Sequence, residues 1–162
     1  MSVAKLPWNS LRESDLSIEP ELTGADLHEA HPVRANLCRA ELSEANLTGA
    51  DLSAANLSEA HLSRAELTQA SLTEANLSRA DLPGTDLSEA HLLRADLSEA
   101  ELMSADLESA KPVRANLFRA DLMGARTSRG LTSPVLTSAR PTSRGRSCVG
   151  RIYRAQASTG RT

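Results

Sequence analysis

The stretch Ala45-Asn46-Leu47-Thr48-Gly49-Ala50-Asp51-Leu52-Ser53-Ala54-Ala55-Asn56-Leu57 repeats itself every five residues, and that interval decides the fold. Outward from it, Leu recurs at every fifth position from Leu22 to Leu122, broken only by Pro32 and Pro112. Ala stands two residues ahead of each centre, with Pro20 and Thr85 as the two exceptions. The unit reads Ala, then Asp, Asn, Glu or His, then Leu, then Ser or Thr, then a polar residue. On an α-helix five residues turn the chain by about 500°, or roughly 140° net, so successive leucines never share a face. On a flat strand Ala and Leu of one unit point the same way, but an odd period sends the next pair to the opposite side. Both conflicts disappear if the chain turns a corner once per unit. Every Ala and Leu then points into one interior, which is the geometry of a solenoid.

These tandem units, among them Ala25-Asp26-Leu27, Ala35-Asn36-Leu37, Ala75-Asn76-Leu77 and Ala115-Asn116-Leu117, resemble the A(D/N)LXX motif of the pentapeptide-repeat family over about two thirds of the chain. The resemblance implies an all-β fold, a right-handed quadrilateral β-helix with four units, hence twenty residues, per coil. The residues agree with that number. Of five Asn in the repeat, Asn36, Asn56, Asn76 and Asn116 fall on multiples of twenty, with Asp96 between them, and only Asn46 lies elsewhere. Arg39, Glu59, Arg79, Glu99 and Arg119 alternate in sign at the same step, so opposite charges stack on rungs about 4.8 Å apart. This row is the candidate interaction surface.

Three regions follow. Residues 1–19 suit an N-terminal cap: Leu6, Leu11 and Leu16 keep the five-residue step, slip by one before Leu22, and bring Trp8 for the first coil. Residues 20–125 form the β-helix, about five coils and on the order of 25 Å long. After Gly124 the register is lost, and residues 126–162 are a basic low-complexity tail of Arg, Ser, Thr, Gly and Pro, expected to be disordered. Pro32 and Pro112 replace central leucines in two near-duplicate segments; proline removes a donor, so a local break in the ladder is expected there.

Composition supports a thin interior. Among 162 residues the aromatics are Trp8, Phe118 and Tyr153, so the 40% hydrophobic content is nearly all Ala and Leu. The net charge of −3 conceals two blocks. Residues 20–125 carry 18 acidic and 8 basic side chains, a net of −10, whereas residues 126–162 hold 8 Arg and no acid. The candidate tail contacts Arg144, Arg146, Arg151 and Arg154 could attach to nucleic acid, an anionic surface or the acidic rod itself.

No catalytic, cofactor-binding or metal-binding residues are indicated. Cys38 and Cys148 make neither a disulfide framework nor a metal site. His31 and His91 share a face but stand three rungs apart, about 14 Å, too far to hold one ion. Cys38 has no base beside it, and the serines after the leucines, such as Ser58 and Ser78, are expected to satisfy turns through their hydroxyls. No membrane-spanning run or secretory signal is seen, and a cytoplasmic setting is expected. Three functions remain: an interaction module docking a protein partner on its regular faces; from the fluoroquinolone-resistance branch of the resemblance, a DNA mimic acting on gyrase or another type II topoisomerase; or a nucleic-acid or anionic-surface binder acting through the Arg-rich tail. Against the mimic, Arg39, Arg79 and Arg119 interrupt one acidic face and Arg34, Arg94 and Arg114 the next.

Overall fold

The computed structural model describes residues 20–127, a square solenoid in which each rung pairs in parallel with the residue twenty further on. The bridges run Glu21–Glu41–His61–Asp81–Glu101–Asp121 on one side and Asn36–Asn56–Asn76–Asp96–Asn116 on another. At the C-terminal end they lengthen into a two-stranded parallel sheet, β1 (Asp106–Leu107) with β2 (Arg126–Thr127). The four sides are numbered here by their centres: face 1 from Leu22, face 2 from Leu27, face 3 from Pro32 and face 4 from Leu37.

One unit shows why five residues suffice. In Ala55-Asn56-Leu57-Ser58-Glu59, the Ala55 N–H closes the preceding turn on the Leu52 carbonyl at 3.0 Å. Asn56 donates back to the Ala35 carbonyl at 2.9 Å, while Leu57 and Glu59 donate forward to the carbonyls of Asn76 and Ser78 at 2.7 and 3.0 Å. The Ser58 N–H is taken by the Asn56 side chain at 3.2 Å. All five donors are thereby satisfied, as a buried backbone requires. The same contact from the second position recurs at Asp51, Asn76, Asp86, Asp96, Asp106 and Asp121. An oxygen two residues before the turn is what Asp and Asn supply and longer side chains do not. The serine backbone is therefore the main partner in the turn, where hydroxyls were expected. Hydroxyl contacts are scattered, as in Ser58 Oγ to Asn56 Oδ1 at 2.8 Å.

Each corner turns on a left-handed residue. Every fifth position from Gly24 to Gly124 has φ between 54° and 72°, and only four of these positions are Gly. A non-glycine residue in this region costs roughly 1–2 kcal/mol, yet at the corners from Gly24 to Ser104 it is held there by the forward hydrogen bond its own N–H makes.

The interior is a column of leucines and alanines at or near zero exposure. Thr85, the one buried polar side chain among the described residues, stands in an Ala position and donates its hydroxyl to the Leu62 carbonyl at 2.7 Å. No buried side-chain polar atom among the described residues lacks a partner. At Pro32 the expected break occurs: Asp26–Asn46 and Asn36–Asn56 are bridged, while no bridge joins His31 to Asp51. Pro112 breaks nothing below it, since Lys111 still bridges His91. Its missing donor faces the coil that would follow.

Candidate interaction surfaces

Stacking at twenty residues sorts the outward side chains onto four distinct faces. Face 4 carries the alternating row, and it is zipped. Arg39 Nε meets Glu59 at 2.9 Å, Arg79 meets Glu59 at 4.0 Å and Glu99 at 3.1 Å, and Arg119 meets Glu99 at 3.6 Å. Beside it the amides ladder as well, with Asn56 Nδ2 on Asn36 Oδ1 at 3.2 Å and Asn116 on Asp96 at 3.0 Å. Face 3 shows the same habit, Arg94 reaching Glu74 at 2.9 Å. All five predicted surface residues thus come together, their charges directed at one another.

Most of the remaining acid is on faces 1 and 2, where Glu44 alone meets the basic side chain of those faces, Arg64, at 3.5 Å. Face 1 stacks Glu21, Glu41, His61, Asp81, Glu101 and Asp121; face 2 stacks Asp26, Asn46, Glu66, Asp86 and Asp106. Between residues 20 and 125, faces 1 and 2 hold 13 acidic side chains and the single basic Arg64, a net of −12. Faces 3 and 4 hold 5 acidic and 7 basic, a net of +2, and the two halves sum to the −10 of the repeat. The rod is electrically two-sided. The arginines expected to interrupt acidic faces sit on faces 3 and 4, leaving the other two almost unbroken. These rows were overlooked in the sequence, although the twenty-residue step applied to the second position of each unit reveals them.

Local groups modulate the acidic half. His61 lies 3.7 Å from both Glu41 and Asp81. For Asp86, burial raises the carboxyl pKa, but hydrogen bonds from the Ser88 hydroxyl and N–H and the Thr68 hydroxyl, with the Arg126 charge, outweigh it and hold the group below the usual aspartate range. Arg126 itself spans Asp106 at 2.9 Å and Glu108 at 3.1 Å.

No cluster among the described residues is arranged to hold a metal ion. His31 and His91 stand on face 3, separated by the rungs of Asp51 and Ser71. Cys38 is half-buried and accepts the Ser58 hydroxyl at 3.4 Å. No helix in the described residues is long and apolar enough to cross a membrane. The cap at 1–19 and the tail contacts Arg144, Arg146, Arg151 and Arg154 lie outside the described residues.

The geometry defines a class: a four-sided β-helical solenoid whose functional features are continuous outer faces. The chain belongs to the pentapeptide repeat family, whose sequence model matches residues 21–58, 50–88 and 84–117 in eight copies, and with it comes the right-handed quadrilateral β-helix that the resemblance implied. No curated protein matches the chain in sequence. Among solved structures it is similar to HetL, a pentapeptide repeat protein involved in heterocyst differentiation regulation in the cyanobacterium Nostoc sp. strain PCC 7120. The two are 37% identical over 67% of this chain and 62% of HetL, with a TM-score of 0.39. A second Nostoc PCC 7120 pentapeptide repeat protein, alr5209, is also 37% identical over 57% of this chain and 84% of its own, TM-score 0.39. The plasmid-mediated fluoroquinolone resistance protein QnrB1 is 15% identical over 72% of this chain and 79% of its own, TM-score 0.36.

Proposed function

We propose that this protein is a non-enzymatic interaction module that docks a basic protein surface on faces 1 and 2. The observation that carries this reading is the −12 concentrated on two adjacent faces against +2 on the others. A row of carboxylates at about 4.8 Å intervals complements an arginine- or lysine-rich partner and steers its approach. The Arg39–Arg119 ladder, closed on itself, stiffens the rod in this reading and leaves the docking to the acidic half.

The test uses the full chain to capture partners from cell lysate, followed by binding assays with the recovered partner. Reversing Glu41 and Glu101 to Lys on face 1 is expected to weaken binding at least tenfold, and raised salt to weaken it further. Reversing Arg34 and Arg114 to Glu on face 3 is expected to leave affinity within about twofold. Equal losses from both pairs would overturn the docking assignment.

A second reading takes the acidic rows as a stand-in for DNA phosphates on a type II topoisomerase, as the fluoroquinolone-resistance branch suggests. The carboxylate rows of faces 1 and 2, interrupted only by His61, Asn46 and Arg64, favour it, whereas the arginines of faces 3 and 4 limit any mimicry to half of the rod. A gyrase supercoiling assay with the full chain separates the readings: inhibition that disappears in the Glu41→Lys, Glu101→Lys variant supports the mimic.

A further inference from the structure

The residue after each centre is Ser or Thr in every unit from Ser43 to Ser78. In the last described coil that habit is abandoned: the position holds Val113 on face 3, Phe118 on face 4 and Met123 on face 1. These three, with Leu93 one rung earlier on face 3, are the exposed large apolar side chains of the described residues, at 40–55% exposure. On face 2 the position is Glu108, whose carboxylate is paired with Arg126 at 3.1 Å. An apolar collar therefore surrounds one end of the rod on three of its four sides, and apolar surface gathered in this way marks a site of contact.

Charge changes sign in the same coil. Residues 108–127 hold 4 basic and 2 acidic side chains, a net of +2. Residues 88–107 hold 1 and 5, a net of −4, and the three coils before them are −2, −2 and −1. Lys111 and Arg114 meet no carboxylate among the described residues, while the Arg119 guanidinium lies over the Phe118 ring, 5.1 Å from its centroid. The collar is thus set among cations, and residues 128–162, which follow Thr127, add seven Arg and no acid to the sequence.

We propose that this coil docks end-on in the headgroup layer of an anionic lipid bilayer. Val113, Phe118 and Met123 point three ways, so a rigid partner laid against one side of the rod cannot cover them together. A fluid surface entered end-on covers all three. Apolar side chains that reach the acyl boundary, flanked by cations at the level of the phosphates, are what a bilayer interface accepts. Neutral lipid would reward only the collar; an anionic leaflet also attracts the four basic residues of the coil and the arginines that follow it. Orientation comes from the rest of the charge. A rod lying on its side would bring the −4 coil and its neighbours against like charge, so the rod stands upright and holds faces 1 and 2 clear of the membrane.

Co-sedimentation of the full chain with vesicles tests this, using phosphatidylcholine alone and phosphatidylcholine with about 30% phosphatidylserine. Binding is expected to the anionic vesicles, to be at least tenfold weaker on the neutral ones, and to fall as salt is raised. Val113→Ser, Phe118→Ser and Met123→Thr together restore the residue types of the other units and are expected to weaken binding at least tenfold. Val33→Ser, the same change on the first coil, is expected to leave it within about twofold. Lys111→Glu with Arg114→Glu is expected to weaken it as the triple variant does. Equal binding to both vesicles would overturn the proposal, as would binding to neither, which would point to an acidic protein as the occupant. Binding that survives the triple substitution would overturn it too, leaving attachment to the arginine-rich sequence beyond Thr127. The basic partner proposed for faces 1 and 2 is untouched by any of these results, because it rests on other residues.

Discussion

Faces 1 and 2 share with faces 3 and 4 the same backbone ladder and the same leucine column, yet the two halves treat charge in opposite ways. On face 4 the charged row finds partners up and down the stack, as in Arg79 between Glu59 and Glu99, and on face 3 Arg94 pairs with Glu74. On face 1, Asp81, Glu101 and Asp121 are stacked as neighbours of like sign. Like charges directly opposite one another on a sheet are destabilising, by up to roughly 1 kcal/mol a pair. The rod tolerates this because its stability comes from the interior and the backbone bonds, which are indifferent to the face. What the difference teaches is that the repeat leaves three positions per unit open to other uses: face 4 closes its charges into a continuous ladder, whereas faces 1 and 2 pair only at isolated points such as Arg64 with Glu44 at 3.5 Å and keep a net excess of acid.

The sharpest way to break the comparison is through the interior. Leu67→Ala on face 2 and Leu77→Ala on face 4 each remove a fully buried side chain, at an expected cost of about 2–5 kcal/mol. If the two halves differ only outside, the costs agree within about 1 kcal/mol by urea denaturation, allowing for local relaxation. A much cheaper Leu67→Ala would mean that the acidic half is also looser within.

Charge reversal sharpens it from outside. Glu99→Lys on face 4 removes contacts to Arg79 at 3.1 Å and Arg119 at 3.6 Å and places a third cation between two others. Its exposure keeps the expected loss to about 1 kcal/mol or less. Glu101→Lys, two residues on and between Asp81 and Asp121 on face 1, is expected to gain about 0.2–1 kcal/mol. Opposite shifts in the urea midpoint, both shrinking in 1 M salt, are the expected result; shifts of the same sign would show that the halves are not electrically distinct.

The parts of this architecture that repeat at five and at twenty are legible in the sequence, because identity at those intervals needs only counting. The leucine column, the Asn36–Asn56–Asn76 stack and the Arg39–Arg119 row were all visible in that way, and so was the weak point at Pro32. The corners were not. Glycine would signal a left-handed residue, but seventeen of these positions in the described residues carry other side chains, such as Arg39, Glu59 and Ala54, so nothing in composition marks them. The acidic rows were hidden because Glu, Asp, Asn and His interchange at the second position and read as generic polarity. The ladder's extension through Arg126–Thr127 was hidden because Thr stands where Leu had marked every earlier centre.

The smallest expected effect concerns an exception inside the acidic half. Asp86 is stacked between Glu66 and Asp106, and burial raises its pKa, yet the Ser88 and Thr68 contacts and the Arg126 charge leave the carboxyl below its usual range. A native pKa held below the unfolded value means that the charged carboxylate stabilises the fold. That contribution is complete above the unfolded aspartate value of about 3.9, and falls away as pH drops from there through the lower native value. Asp86→Asn keeps the shape and one acceptor oxygen but has no proton to gain. The melting-temperature gap between wild type and Asp86→Asn should therefore narrow between about pH 4 and pH 2.5, whatever the other carboxylates do to both proteins in common. A gap that stayed constant across that range would mean that Asp86 is no better held than its neighbours, and that the acidic half carries like charge along its whole length without relief.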